Sequence, residues 1–196
     1  MTRFLTFPMT RWGVVALAIV LFAVTNLPWH LDDYDQAKQA FTSFEMIQRG
    51  HWFYQHTPNW WVATKPPLVG WLSAGFFAVI RSWELAWRYP SFLAALALLV
   101  CVLRSAAIYG SVAAVTAVAA LSFNLFAPRL ASLVRTDMPL ALVVFLIGVL
   151  IWKKIRAKSE WRLQDQVCIF ALLTAAMLIK GPSVYAFLLP GLALFQ

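Results

Sequence analysis

Long apolar runs recur along this chain, and they constrain its fold more than any other feature. They cover Gly13 to Leu27, Leu68 to Ile80, Pro90 to Tyr109, Ser111 to Ala127, Met138 to Trp152 and Val167 to Gln196, the last interrupted by Lys180-Gly181-Pro182. Of 196 residues, 62% are hydrophobic and only 12% are charged. Water-soluble domains carry about a quarter charged residues, so there is too little polar surface here to enclose these runs. A soluble enzyme, a disordered tail and a nucleic-acid module are excluded, despite the formal net charge of +8. In lipid every backbone polar group must be satisfied internally. The composition therefore predicts an all-α integral membrane protein with several spans.

Arg3 and Arg11 precede the first run, which Trp12 and Trp29 flank. No small-x-small cleavage site follows it, so we expect an uncleaved first span with a cytoplasmic N-terminus. Residues 30–65 form the long polar segment and hold Asp32, Asp33, Asp35 and Glu45, four of the eight acids. From Asp35 to Arg49, apolar Ala37, Ala40, Phe41, Phe44 and Ile47 recur at helical spacing, and Gly50 is a natural stop. Such a helix is too polar to cross a bilayer but can lie on its surface. The aromatic stretch His51 to Trp61 follows. It suits either anchoring at the headgroup level or stacking against a sugar ring. A helix over Pro66 to Ile80 would be roughly 22 Å long against a hydrocarbon core of about 30 Å. Cys101 and Cys168 lie within apolar runs and suit packing rather than a disulfide.

The expected spans are about 12–29, 87–109, 111–128, 138–152, 166–179 and 182–196, with surface helices at 35–49 and 66–80. Lys153, Lys154, Arg156, Lys158 and Arg162 form a basic loop, which belongs in the cytoplasm. That placement fails if residues 66–80 cross fully and holds if they form a surface or re-entrant helix. The second arrangement places residues 30–89 and 128–137 on one outer face, with 180–182 beside them. Asp32, Asp33, Asp35, Lys38, Lys65, Arg88, Arg129, Arg135, Asp137 and Lys180 then gather there. Charge at a bilayer is costly and marks function. A carboxylate can take a proton from a hydroxyl, and fixed cations can neutralise a phosphate.

Three segments carry a resemblance. They are Asp35-Gln36-Ala37-Lys38-Gln39-Ala40 with the following Glu45-to-Trp52 stretch, Thr64-Lys65-Pro66-Pro67-Leu68-Val69-Gly70-Trp71-Leu72, and Arg129 to Asp137 ending Arg135-Thr136-Asp137. In order and spacing they resemble the GT-C membrane glycosyltransferases, specifically bacterial relatives of protein O-mannosyltransferases and lipid A aminoarabinose transferases. Leu178-Ile179-Lys180-Gly181-Pro182 is similar to a further family segment. The resemblance covers roughly Trp12 to Gln196 and implies the N-terminal part of a longer multi-span module, with amphipathic juxtamembrane helices in its first outer loop. It implies an inverting transfer from a polyprenyl-phosphate-linked sugar to a protein, lipid or glycan acceptor outside the cytoplasm, with no nucleic-acid partner. The setting expected is a bacterial inner membrane.

By this resemblance Asp35 matches the base that deprotonates the acceptor and Asp137 the family's second acid. Lys65 matches the lysine that contacts the carrier phosphate. Lys180, Lys38 and Arg135 are further donor-binding candidates. Family members often carry Glu before the motif lysine, where this chain has Thr64; that Glu can contribute to metal binding, so the resemblance assigns no metal residue here and leaves a divalent metal as an open alternative. His51 and His56 lack a third ligand at useful sequence spacing. Asp33-Tyr34-Asp35 matches the Asp-x-Asp of nucleotide-sugar enzymes, but the soluble α/β domain those need is missing. The rival readings are a transporter or flippase for lipid-linked sugars, or a non-catalytic membrane fragment.

Overall fold

A computed structural model describes residues 8–25, 31, 34–124 and 126–193. Among the described residues the architecture is all-α. In chain order the helices are α1 (Pro8–Thr25), α2 (Tyr34–Arg49), α3 (Leu68–Ile80), α4 (Trp83–Ala86), α5 (Tyr89–Ala107), α6 (Ser111–Ser122), α7 (Ala127–Ser132), α8 (Asp137–Ala157), α9 (Leu163–Lys180) and α10 (Ser183–Ala193). By length and composition α5, α8 and α9 can cross a membrane. Their 19, 21 and 18 residues correspond to roughly 27–32 Å. The apolar stretch Trp12–Thr25, α3 and α6 are shorter.

Two expected spans differ in detail. The run through 111–128 is not one helix, because α6 stops at Ser122 and α7 begins at Ala127. Asn124 makes the break. Its Nδ2 donates to the carbonyls of Ala120 (3.0 Å) and Leu121 (2.7 Å), and its Oδ1 accepts from the amides of Phe126 and Ala127, both at 2.8 Å. One side chain thus closes the end of α6 and opens α7, where Pro128 in the first turn needs no donor partner. The run through 138–152 is longer than expected. Helix α8 continues to Ala157, so Lys153, Lys154 and Arg156 ride on a helix rather than in a loop. Lysine and arginine are good helix formers and favour a helix C-terminus. The helix ends at Lys158, which takes a left-handed φ of 47°. The expected span at 12–29 corresponds to α1, with residues 26–30 outside the described residues. That at 182–196 corresponds to α10, with 194–196 likewise outside them.

Two apolar clusters hold the helices. One joins Ala18 and Phe22 of α1 to Ala95, Leu98 and Leu99 of α5, Val118 of α6 and Ala131 of α7. The other joins Val69 of α3 to Leu140, Val143 and Ile147 of α8 and to Ala176 and Ile179 of α9. Small residues recur in both, as close helix approach in a membrane requires. Much of α9 is exposed, including Leu163, Val167 and Phe170.

The bundle has two distinct ends. At one, Ser91 at the start of α5 donates to the Arg135 carbonyl (3.0 Å) just before α8, and Asp137 of α8 pairs with Lys180 at the end of α9. At the other, the Arg156 guanidinium lies 5.7 Å from the Tyr109 ring centre, and Lys154 pairs with Asp165. Helix α3 belongs to the first end. Gly70 near its start packs on Met46 of α2. Arg81 (φ 58°) turns the chain after Ile80, and Phe77 stacks on Trp83 with ring centres 3.8 Å apart. Phe76 stacks on Tyr89, at the start of α5, at 5.5 Å. Both ends of α3 therefore meet elements of the same end of the bundle.

Candidate active site

Helix α2 lies against that end and presents an unexpected face. Its fully buried residues are Gln36, Gln39, Ala40, Thr42, Ser43, Glu45 and Met46. Of the apolar stripe only Ala40 is buried, while Ala37, Phe41, Phe44 and Ile47 are half-buried. Burial of polar groups without partners costs several kcal/mol, so these need partners, and most have them. Gln36 Oε1 accepts from the Val134 amide at 3.3 Å. Thr42 Oγ1 donates to the Gln39 carbonyl at 2.8 Å. Glu45 is taken up by two histidines. The polar face is thus the main docking face, while part of the stripe also packs inward, with Ala40 buried and the Phe44 ring 5.9 Å from that of Trp83 in α4.

The Gln36 contact places the start of α2 beside segment 133–136. Asp35, in the first turn of α2, has its Oδ2 3.9 Å from Arg135 Nη2. Its side chain is 52% exposed. Two residues after Arg135, Asp137 opens α8 and pairs with Lys180. Asp35, Arg135, Asp137 and Lys180 therefore come together as two linked acid–cation pairs at one end of the bundle. Lys38 is half-buried one turn along α2, and Lys65 is half-buried just ahead of α3. Neither forms an ion pair among the described residues. Arg88 is buried, with Nη1 donating to the Glu84 carbonyl at 2.8 Å, which suits a structural role. Arg129 lies exposed on α7. Asp32 and Asp33, and with Asp33 the Asp-x-Asp, lie outside the described residues.

The aromatic stretch folds back on itself. The Thr57 amide donates to the Trp61 carbonyl (2.7 Å) and the Ala63 amide to the Gln55 carbonyl (2.8 Å), around a left-handed Trp60 with φ 64°. Trp71 Nε1 of α3 donates to the Trp52 carbonyl at 2.7 Å. Phe53, Trp60 and Trp61 stay exposed.

This turn brings His51 and His56 onto Glu45, which is fully buried. Oε1 of Glu45 lies 2.9 Å from His56 Nδ1, 3.2 Å from His51 Nδ1 and 3.3 Å from Arg49 Nη1, while Oε2 accepts from the His56 amide. Burial works to raise the Glu45 pKa. The His56 amide and the His56 and His51 rings outweigh it and hold the carboxyl below its ordinary value. Sequence spacing did not bring Glu45 to the two histidines: it lies six residues before one and eleven before the other, and only the fold closes the gap.

Comparison with known proteins fits this architecture. The sequence profile of the dolichyl-phosphate-mannose-protein mannosyltransferase family matches residues 64–195. The crystal structure of ArnT from Cupriavidus metallidurans in the apo state superimposes with a TM-score of 0.72 at 24% sequence identity, over 96% of this chain. The chain spans 36% of the length of that structure. No curated protein matches the sequence. With the profile covering most of the chain and the fold matching a GT-C protein, this chain belongs to the dolichyl-phosphate-mannose-protein mannosyltransferase family of GT-C membrane proteins.

Proposed function

We propose that this chain supplies the catalytic end of a membrane glycosyltransferase. The reaction moves a sugar from a polyprenyl-phosphate donor to an acceptor hydroxyl on the non-cytoplasmic face. The observation that carries the reading is the convergence of Asp35, Arg135, Asp137 and Lys180 at one end of the bundle, opposite the end that bears Lys153, Lys154 and Arg156.

The proposed chemistry follows from what these groups can do. The Asp35 carboxylate takes the proton of the acceptor hydroxyl. The freed oxygen attacks the anomeric carbon from the face opposite the phosphate, and the bond between that carbon and the phosphate oxygen breaks. The anomeric configuration inverts, and polyprenyl phosphate leaves with the negative charge. Fixed cations stabilise that charge as it develops. Lys65 is the first candidate, with Lys180, Lys38 and Arg135 in support. Asp137 orients Lys180 and can hold a hydroxyl of the sugar or acceptor. The exposed aromatics Phe53, Trp60 and Trp61 offer apolar faces to a sugar ring or to the lipid surface.

The test is label transfer from a radiolabelled polyprenyl-phosphate sugar in membranes containing the full-length gene product. Asp35→Asn keeps the side-chain shape but removes the base, and general-base contributions are typically about 10²–10⁴-fold. A fall in transfer rate of that order is expected. Undiminished transfer overturns Asp35 as the base.

A further inference from the structure

We propose that Glu45, His51 and His56 form a zinc-binding site that clips the aromatic turn 51–63 onto α2. Each residue offers one ligand atom, and these atoms all lie within 4.8 Å of one another. For four-coordinate zinc with bonds of about 2.0–2.1 Å, neighbouring ligand atoms sit roughly 3.3 Å apart. The distances from Glu45 Oε1 to the two Nδ1 atoms, 2.9 and 3.2 Å, are already close to that edge length. The two imidazole rings fan outward, with centres 5.6 Å apart and planes at 65°. The rings do not stack face to face, and both Nδ1 atoms lie beside the same oxygen of Glu45.

The donor chemistry selects the ion. Two imidazole nitrogens and one carboxylate suit zinc and similar transition metals, whereas calcium and magnesium take oxygen donors. The half-exposed His51 leaves an open side on which water can supply the fourth ligand. Arg49 must give up its contact with Glu45 Oε1. Its guanidinium already lies 4.3 Å from the centre of the Trp60 ring, which provides an alternative seat. Glu45 keeps its second oxygen on the His56 amide, so a partner fixes the orientation of the carboxylate. Thr64, which replaces the family's acidic residue, has no part in this donor set.

The site would work as a cross-link. Glu45 belongs to α2, while both histidines belong to the turn that follows it, so one ion would fasten the turn back onto the helix it leaves. The proposal does not depend on the transfer chemistry, because its test reads metal directly.

The full chain, purified in detergent and stripped with chelator, is dialysed against zinc and its bound metal counted. One zinc per chain is expected. His51→Ala and His56→Ala should each weaken binding by about tenfold or more, with helical content preserved in the presence of chelator. X-ray absorption at the zinc edge of the wild-type protein gives a second readout that needs no variant, and two imidazole ligands are expected. Binding of less than a stoichiometric ion, equal affinity in the histidine variants, or a zinc spectrum without imidazole each overturns the site.

Discussion

The packing of α3 on α2 at Gly70 can be tested quantitatively. A Cβ added there would lie 2.6 Å from Met46 Cε and 3.1 Å from its Sδ. Carbon atoms in contact prefer about 3.5–4.0 Å, so the end of Met46 must retreat by roughly 1 Å. Met46 is 1% exposed and has little room. Its unbranched side chain can still adapt, which places the cost of Gly70→Ala at about 1–2 kcal/mol, in the lower part of the overpacking range. Alanine returns about 1 kcal/mol of helix propensity over glycine. The net change for Gly70→Ala is therefore small, between about zero and 1 kcal/mol destabilising. Met46→Ala alone empties the contact and should cost about 2–5 kcal/mol. In the double variant the new methyl enters the space that Met46 vacates and the clash disappears. The two changes should then couple favourably by about 1–2 kcal/mol. Denaturant unfolding in micelles, followed by tryptophan fluorescence, gives the four stabilities of the cycle. Additivity within about 0.5 kcal/mol would refute the packing of Gly70 on Met46, and with it this account of how α3 holds α2.

Two further outcomes are expected. Glu45 has a carboxyl pKa held below its ordinary 4.5, so its contribution to stability is fully present above that value and is lost as pH falls through the lowered one. In chelator, the stability gap between wild type and Glu45→Gln should narrow on acidification into that range, and a gap that widens contradicts the assignment. Cysteines introduced at Lys65 and Lys154 should react with impermeant maleimide from opposite sides of the membrane, and labelling from one side removes the proposed orientation.

Much of the helical layout is legible from apolar runs alone. The run Pro90 to Tyr109 foretells α5, and the stripe with its glycine stop foretells α2, which ends at Arg49 before a left-handed Gly50 with φ 73°. The pairing of Asp137 with Lys180 was not readable, because 43 residues separate them and only the packing of α8 on α9 joins them. The face of α2 was misleading for a physical reason. Apolar periodicity marks the core side of a helix in water, whereas here the protein takes the polar face together with Ala40 and Phe44, and the rest of the stripe is free to meet lipid. The break at Asn124 was hidden because a single polar residue in an apolar run looks tolerable until its side chain is seen bonded to four backbone groups. The hub at Glu45 likewise needed the turn of the chain at the left-handed Gly50, after which His51 and His56 come back to α2.

The bond from the Val134 amide to Gln36, across 98 residues of sequence, has a consequence for biosynthesis. Asp35 reaches its neighbours only after segment 133–136 has left the ribosome. Asp137 then waits 43 further residues for Lys180. At a synthesis rate of about 5–20 residues per second, that interval is roughly 2–9 s. During it the carboxylate at the head of α8 must be tolerated at the membrane without its cation. Lys180 is therefore the last of the four charges to be made, and the junction of α8 and α9 is where the cluster is completed.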